Sequence, residues 1–134
     1  NPSSTRPWQH VLEPLLGYII LSKKLYENPK KFKGAWNFGP STSQSKEVLW
    51  IAEKICELWP SGGKIVTDAI NKSKEAIILN LDSSKSIKNL NWKPKMDIEK
   101  SLKYSTEWYS KYFNSSKDMR NFTIKQIKDY ENER

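Results

Sequence analysis

The side chains that most often carry catalysis or metal binding are scarce in this chain of 134 residues, which has one cysteine and one histidine. Cys56 lies beside apolar neighbours in a helical pattern, which is typical of a buried, small hydrophobic residue rather than a nucleophile. His10 has no serine and acid at a spacing that defines a catalytic triad. Glu53 and Glu57 are four residues apart, as on a solvated helix edge. The sequence therefore predicts no catalytic residue and no metal site.

Arg6 is the charged residue with the clearest capacity to bind a ligand. It lies between Thr5 and Pro7, just ahead of a helical pattern of apolar residues. An arginine near a helix N-terminus can hold a phosphate through two parallel N–H groups, and the helix dipole favours the anion there. We predict that Arg6 contacts an anionic group, and a plain surface arginine is the alternative.

The charge balance is basic, since 23 lysines and arginines face 15 acidic residues and give a formal net charge of +8. Aromatic residues alternate with lysines over residues 103–113, a pattern found on surfaces that bind single-stranded nucleic acid. No run is densely basic, however, and acidic residues are scattered among the lysines. A small basic nucleic-acid-binding module therefore stays open as an alternative function.

Membrane and redox signals are also informative. The longest apolar stretch, residues 15–21, is interrupted by Gly17 and is far shorter than the roughly 20 residues of a membrane span. We therefore expect no membrane partner.

A lone cysteine cannot form an intramolecular disulfide, which favours a reducing, cytoplasmic compartment. Because the first residue is Asn1 rather than methionine, we expect a piece of a longer chain.

Helices and a few short strands are predicted to position these residues. The first helix spans residues 12–28 and carries two apolar stripes, so we expect it to have partners on more than one side. One stripe contains Leu12, Leu15 and Ile19, and the other contains Leu16 and Ile20. The remaining predicted elements are a strand at 35–38, a helix at 46–59 capped by Ser45, strands at 64–67 and 76–81, a helix at 82–89, a helix after Asp97, and a tail helix opening with a capping-box pattern at 123–126.

This order of elements predicts an α/β fold that is mostly helical with a few short strands. A Gly-rich phosphate loop of the dinucleotide or P-loop type does not occur in the sequence. The sheet is expected to be small, which again indicates part of a larger fold.

Several segments, in the same order, resemble CDP-glucose 4,6-dehydratases, which are extended short-chain dehydrogenase/reductases acting on nucleotide sugars. The narrowest match is the opening N-P-S-S-T-R-P-W-Q-H-V-L-E-P-L. The others are G-A-W-N-F-G-P at 34–40, E-A at 75–76 leading to L-D-S-S-K at 81–85, L-N-W-K-P at 90–94, T-E-W-Y at 106–109, and the tail around D-M-R at 118–120. The N-F-G and N-W-K-P pieces resemble ones shared by many nucleotide-sugar epimerases and dehydratases, so another enzyme of that superfamily is a further alternative.

The resemblance implies that residues 1–134 form the C-terminal, substrate-binding part of such an enzyme, without its N-terminal NAD-binding Rossmann part. The implied reaction of the parent, a lyase, converts CDP-glucose to CDP-4-keto-6-deoxyglucose and water with bound NAD. Its product is a precursor of cell-surface deoxysugars, as in lipopolysaccharide. The family's catalytic residues precede this segment, so the chain alone is expected to be inactive. The missing Rossmann part and a homo-oligomer of the full-length form are the implied protein partners.

The resemblance also implies roles for individual residues. Arg6 falls on a substrate-diphosphate contact, and His10 falls on a position behind it that we interpret as positioning. Where the family commonly has Pro-His, this chain has Ser73-Lys74. Lys72 or Lys74 can still reach a phosphate as a compact point charge. The predicted binding residues are thus Arg6, His10, Lys72 and Lys74, with a CDP-sugar as the ligand.

Overall fold

The computed structural model describes residues 1–67, 76–115 and 117–133. This part of the chain is mostly helical and contains two short strands. Its elements in chain order are β1 (Thr5–Arg6), α1 (Leu12–Glu27), α2 (Pro29–Phe32), a 3₁₀ helix (Thr42–Gln44), β2 (Lys46–Glu47), α3 (Val48–Leu58), α4 (Ser84–Leu90), α5 (Ile98–Asn114) and α6 (Met119–Glu131). None of the described helices combines the length and apolar character that a membrane span requires.

The helices form where local signals predict them. Helix α1 ends at Glu27, just before the Asn28-Pro29 pair, because proline disfavours helical geometry in the residue before it. Asp97 caps α5 as predicted, and its carboxylate accepts a hydrogen bond from the Lys100 amide at 2.8 Å.

Two predicted helix starts are wrong. The residue that caps α3 is Glu47 rather than Ser45, because Lys46–Glu47 pairs as β2 before the helix begins. Helix α6 begins at Met119 rather than at the capping-box pattern. Thr123 lies inside it and its hydroxyl donates to the Met119 carbonyl at 2.8 Å, as an exposed or half-buried threonine in a helix often does.

The predicted strands are largely wrong. Residues 35–38 and 64–67 are not strands, and residues 76–81 contribute one isolated bridge, between Ile78 and Thr5. In 35–38 the backbone carbonyls are satisfied by side chains of the α4 region: the Lys85 ammonium donates to the Ala35 carbonyl at 2.7 Å, and the Ser86 hydroxyl donates to the Asn37 carbonyl. The described sheet is instead antiparallel β1–β2, with Thr5 opposite Glu47 and Arg6 opposite Lys46.

Two apolar clusters form the core. The first contains Phe32, Phe38, Leu90 and Trp92, against which Leu16 and Ile20 of α1 pack. The second joins α3 to α5 and contains Ile51, Ile98 and Leu102, with Trp8 and Trp50 beside them. The first cluster packs against α1, and the second includes Trp8, which lies four residues before the start of this helix.

Gly17 allows the first cluster to close onto α1. A Cβ atom at Gly17 would lie 2.3 Å from Cδ1 of Phe38, which no side chain tolerates. The Phe38 ring is held in place by edge contacts with Trp92 and Tyr18, at centroid distances of 5.1 and 5.5 Å. The glycine that breaks the apolar stretch of the sequence is therefore required by packing.

Glu13 is the most completely buried charged side chain in the described residues. Its carboxylate accepts hydrogen bonds from the Lys95 amide (3.0 and 3.1 Å), the Met96 amide (2.8 Å) and the Tyr130 hydroxyl (2.8 Å). Its backbone carbonyl accepts from the Trp92 indole N–H at 3.1 Å. One residue in the first turn of α1 thus holds the 92–96 turn and helix α6.

The far end of α6 is held by the same turn. The Lys95 ammonium donates to the carbonyls of Tyr130 and Glu131, at 3.3 and 3.0 Å. A cation at the C-terminal end of a helix satisfies its unpaired carbonyls and opposes the helix dipole. Lys100 forms an ion pair with Glu133 just beyond the helix. The C-terminal end of α6 is therefore held by Lys95 of the α4–α5 connection and by Lys100 of α5.

Substitutions at Glu13 and Tyr130 test this anchor. Glu13→Gln puts an amide NH₂ among three hydrogen-bond donors, so we expect the free energy of unfolding to fall by about 3 kcal/mol. Tyr130→Phe removes one donor to the carboxylate and should lower it by about 1.5 kcal/mol. Urea denaturation followed by circular dichroism measures both free energies of unfolding.

The matched control is Glu53→Gln, at an exposed position of α3, whose free energy of unfolding should stay within about 0.5 kcal/mol of wild type. Equal losses at Glu13 and Glu53 would contradict the anchor.

Candidate functional site

Arg6 lies in β1 and not in the loop that its neighbours Thr5 and Pro7 suggest. On one side β1 pairs with β2. On the other, the Thr5 amide donates to the Ile77 carbonyl at 2.7 Å, and the Leu79 amide donates to the Thr5 carbonyl at 3.1 Å. The backbone of Arg6 is thus fixed between two chain segments, four residues before His10.

The Arg6 guanidinium is half-buried and turned back along the strand. Its Nη1 donates to the Thr5 carbonyl at 2.9 Å and to the Ile77 carbonyl at 3.4 Å. These contacts set the direction of a planar group whose five N–H donors match the geometry of a phosphate or carboxylate. The position agrees with the prediction that Arg6 precedes the first helix, and the carbonyl contacts were not foreseen.

His10 is buried at the start of α1. Its Nδ1 accepts a hydrogen bond from the Leu12 amide at 3.3 Å, and its carbonyl accepts from the Glu13 amide at 3.1 Å. The ring meets the edge of the Tyr104 ring at a centroid distance of 5.8 Å. Because Nδ1 is an acceptor, the neutral ring carries its proton on Nε2. Burial lowers the pKa of His10 below its ordinary value, which keeps the ring in this neutral form.

The predicted binding residues have separate surroundings. Arg6 contacts the segment at Ile77, whereas His10 contacts the first turn of α1 and Tyr104 of α5. Lys72 and Lys74 lie outside the described residues, so their predicted phosphate contacts stay a prediction. The structure thus holds Arg6 and His10 on consecutive parts of one rigid segment.

A cleft of about 480 Å³ lies beside His10, between the start of α1 and helices α5 and α6. Its walls are mostly apolar and include Trp108 and Tyr109. Gln9 also lines it: its amide Nε2 donates to the Phe38 carbonyl at 2.7 Å, while its buried Oε1 has no partner among the described residues. None of the lining residues is a carboxylate, a lysine or a cysteine. The polar groups that line the cleft include the His10 ring and the hydroxyls of Ser105 and Thr123.

The other reactive side chains are not gathered into a site. Cys56 is partly buried beside Gly63, as its apolar neighbours predict, and Tyr26 is almost fully exposed on α1. Within residues 1–67, 76–115 and 117–133, histidine, cysteine, aspartate and glutamate form no group of three or more that could hold a metal ion.

Sequence reasoning missed Glu13, which determines where α1 begins and thus where Arg6 and His10 lie. A signal was present, because Glu13 is four residues before Gly17 and three before Leu16, on the face of α1 that packs inward. A lone acid on the buried face of a helix must have hydrogen-bond donors. Its donors, however, lie more than 80 residues away in the sequence.

The chain does not match any protein-family model. It is 38% identical over 130 residues to a curated CDP-glucose 4,6-dehydratase of Salmonella typhimurium (strain LT2). The aligned region comprises 97% of this chain but only 36% of that relative, where it corresponds to the C-terminal part. The resemblance of the sequence segments to this family is thereby confirmed, and the chain spans about a third of its relative.

The pH dependence of stability tests the environment of His10. With a folded pKa below the unfolded value of about 6.5, the folded state binds the proton more weakly, so this histidine lowers stability as the pH falls below about 6.5. In the variant His10→Asn, the side-chain amide oxygen can accept the hydrogen bond from the Leu12 amide, but the new side chain does not titrate. We expect the free energy of unfolding of wild type to fall more steeply between about pH 7.5 and 5.5 than that of the variant. Because the chain has one histidine, identical slopes in the two urea series would rule out a buried neutral ring.

Proposed function

We propose, on the premise that the chain is homologous to the C-terminal part of a CDP-glucose 4,6-dehydratase, that residues 1–134 are the sugar-nucleotide-binding portion of such an enzyme. The parent would convert CDP-glucose to CDP-4-keto-6-deoxyglucose and water in the cytoplasm. This portion would complete the extended short-chain dehydrogenase/reductase fold and form one wall of the substrate cleft. The observation on which the proposal depends is the 38% identity to that dehydratase, which extends over 97% of the chain.

The fold supports this proposal because the segments that resemble the family pack together. In the 34–40 segment, the Gly39 amide donates to the Ser83 hydroxyl at 2.7 Å. The Phe38 ring packs against Trp92 of the 90–94 segment. Trp92 in turn donates to the carbonyl of Glu13 in the opening segment. Four of the matching segments therefore share one set of contacts, as expected if the family's framework is retained.

Arg6 would bind the diphosphate of the CDP-sugar. It lies six residues before Leu12, the first residue of α1, and its Nη1 donates to two backbone carbonyls. Bidentate N–H contacts would favour two phosphate oxygens over a single anionic atom. His10 would act by position, since its contacts fix the start of α1 four residues after Arg6. Lys72 and Lys74 would add point charges to the same phosphates.

NAD would be held by the rest of the parent, because the residues of this chain do not fit it. A dinucleotide site needs glycines that let the backbone approach a pyrophosphate at a helix N-terminus. Here Gly17 lies inside α1 against Phe38, and Gly39 lies against Leu81. Both glycines serve internal packing. No step of the chemistry is therefore assigned to the described residues, which would bind and orient the substrate.

One side of α1 would pack against the remainder of the parent enzyme. Leu16 and Ile20 are used in the core, whereas Leu15 and Ile19 of the other predicted stripe are exposed, Ile19 by 68%. This exposed stripe supports the expectation that α1 has a partner on a second side. Exposed apolar faces of this kind generally mark contact surfaces, and we assign this one to the Rossmann part, with homo-oligomer formation as a property of the complete enzyme.

Turnover assays test the proposed function. Incubation of CDP-glucose and NAD with a longer polypeptide that ends in this chain should yield the 4-keto product. The 134-residue chain alone should yield none, because it lacks a cofactor site and catalytic groups. Turnover by the 134-residue chain would contradict the assignment. Turnover of another nucleotide-sugar but not of CDP-glucose would instead identify a different member of the superfamily.

Arg6 variants of the longer polypeptide test the diphosphate contact. Arg6→Ala should weaken CDP-glucose binding by about 2–4 kcal/mol, the range for removing one partner of a desolvated charged pair. Arg6→Lys should recover only part of this, since an ammonium lacks the planar fork of the guanidinium. NAD binding should stay unchanged.

The matched control is Arg120→Ala, at an exposed position of α6, which should leave CDP-glucose affinity unchanged. Isothermal titration gives the affinities, and thermal melts check that Arg6→Ala still folds after losing its carbonyl contacts. Equal affinities for wild type and both Arg6 variants would remove the diphosphate role while leaving the family assignment intact.

A further inference from the structure

Seven lysines lie on or beside three helices, and one of these helices, α1, packs against the other two, α2 and α4. They occur in the last turns of α1, in and just after α2, and on α4. Six of the side chains are exposed and the seventh is half-buried. The seven are Lys23, Lys24, Lys30, Lys31, Lys33, Lys85 and Lys88, which we call the lysine patch.

The patch carries a large share of the positive charge of the chain. On α2 and α4 there is no acidic residue, and in the last turns of α1 the one acid is Glu27, which is paired with Lys24 at 2.9 Å. Asp82 lies just before α4, where it accepts from the Ser84 amide at 2.9 Å. Most of the positive charge of the patch is therefore not neutralised by acids on its own elements.

Folding creates the patch, since its two halves are about 50 residues apart in sequence. The Lys85 ammonium donates to the Ala35 carbonyl at 2.7 Å and lies 4.1 Å from the centroid of the Trp36 ring. A Cβ atom placed on Gly34 would be 3.9 Å from the same ammonium. Lys33 and Lys85 thus lie on neighbouring parts of one surface. This is why the sequence shows no densely basic run.

The patch also presents an aromatic group to solvent. Tyr26, which lies among the lysines at the end of α1, is 93% exposed. A tyrosine ring with a wet hydroxyl is typical of groups that enter the headgroup region of a bilayer. Lysine clusters beside such groups are attracted to anionic lipid headgroups.

We propose that the lysine patch is a contact site for an anionic lipid surface. The contact would lie on the bilayer, with lysines near lipid phosphates and Tyr26 between headgroups, and it needs no spanning helix. This proposal departs from the expectation of no membrane partner, which was based on the lack of an apolar stretch long enough to span a bilayer. Nucleic acid is the less favoured polyanion, because the patch has no arginine for bidentate contacts and one exposed aromatic ring instead of a stacking row.

Vesicle flotation tests the proposal with the 134-residue chain. Vesicles of phosphatidylcholine with about 30% phosphatidylglycerol should carry the protein upward, and vesicles of phosphatidylcholine alone should not. The triple variant Lys30→Gln/Lys31→Gln/Lys33→Gln should reduce partitioning on the order of a hundredfold, at roughly fivefold for each lysine. Raising the salt to about 1 M should release the wild-type protein.

The matched control changes three exposed lysines of α5 and α6, in Lys103→Gln/Lys125→Gln/Lys128→Gln, which alters the net charge equally. It should bind vesicles like wild type. Equal losses in the two triple variants would show that net charge alone drives binding and would overturn the site. Retained vesicle binding by the patch variant would also overturn it. So would tighter binding of the wild-type patch to a single-stranded polynucleotide than to anionic vesicles at equal phosphate concentration.

Discussion

The buried carboxylate of Glu13 is the interaction on which the rest of the structure depends. Removing a carboxylate from water is costly unless its oxygens receive hydrogen bonds. Here they receive three donors, two of them backbone amides of the 95–96 turn and the third the Tyr130 hydroxyl of the last helix. Burial, reinforced by the bond to Glu13, raises the pKa of Tyr130, so the hydroxyl keeps its proton. The anchor can form only when three distant segments have all come together.

This anchor determines what the N-terminal segment can present to a ligand. Because Glu13 and Trp92 fix the first turn of α1, the residues before that turn have little freedom. His10 completes the helix start through its Nδ1, and β1 holds Arg6 against the segment at Ile77. Arg6 and His10, two of the proposed binding residues, therefore lie just before the turn that the Glu13 carboxylate holds.

How well the sequence predicted each element depended on where its partners lie. Both ends of α1 and the start of α5 were predicted closely, because apolar spacing, the Asn28-Pro29 pair and Asp97 are local signals. The strands were not, because β1 needs partners at 46–47 and 77–79, and residues 35–38 are paired by side chains of the α4 region. Arg6 and His10 were identified because their segment resembles a known family. The contacts that the two side chains make could not be predicted from the sequence. Glu13 and the lysine patch depend on sequence separations of about 50 residues or more, which no local pattern reports.

The packing also explains what kind of information the family resemblance carries. Phe38, Ser83 and Trp92 belong to segments that resemble the dehydratases, and all three are buried contacts of the framework. A match in such residues indicates that the same backbone arrangement is built, since core contacts tolerate few changes in shape. It says less about which nucleotide or sugar is bound, because that choice is made by polar groups at the surface of the cleft. Arg6 belongs to the narrowest of the matching segments and has a side chain suited to a phosphate, so substrate recognition by this chain is best tested there.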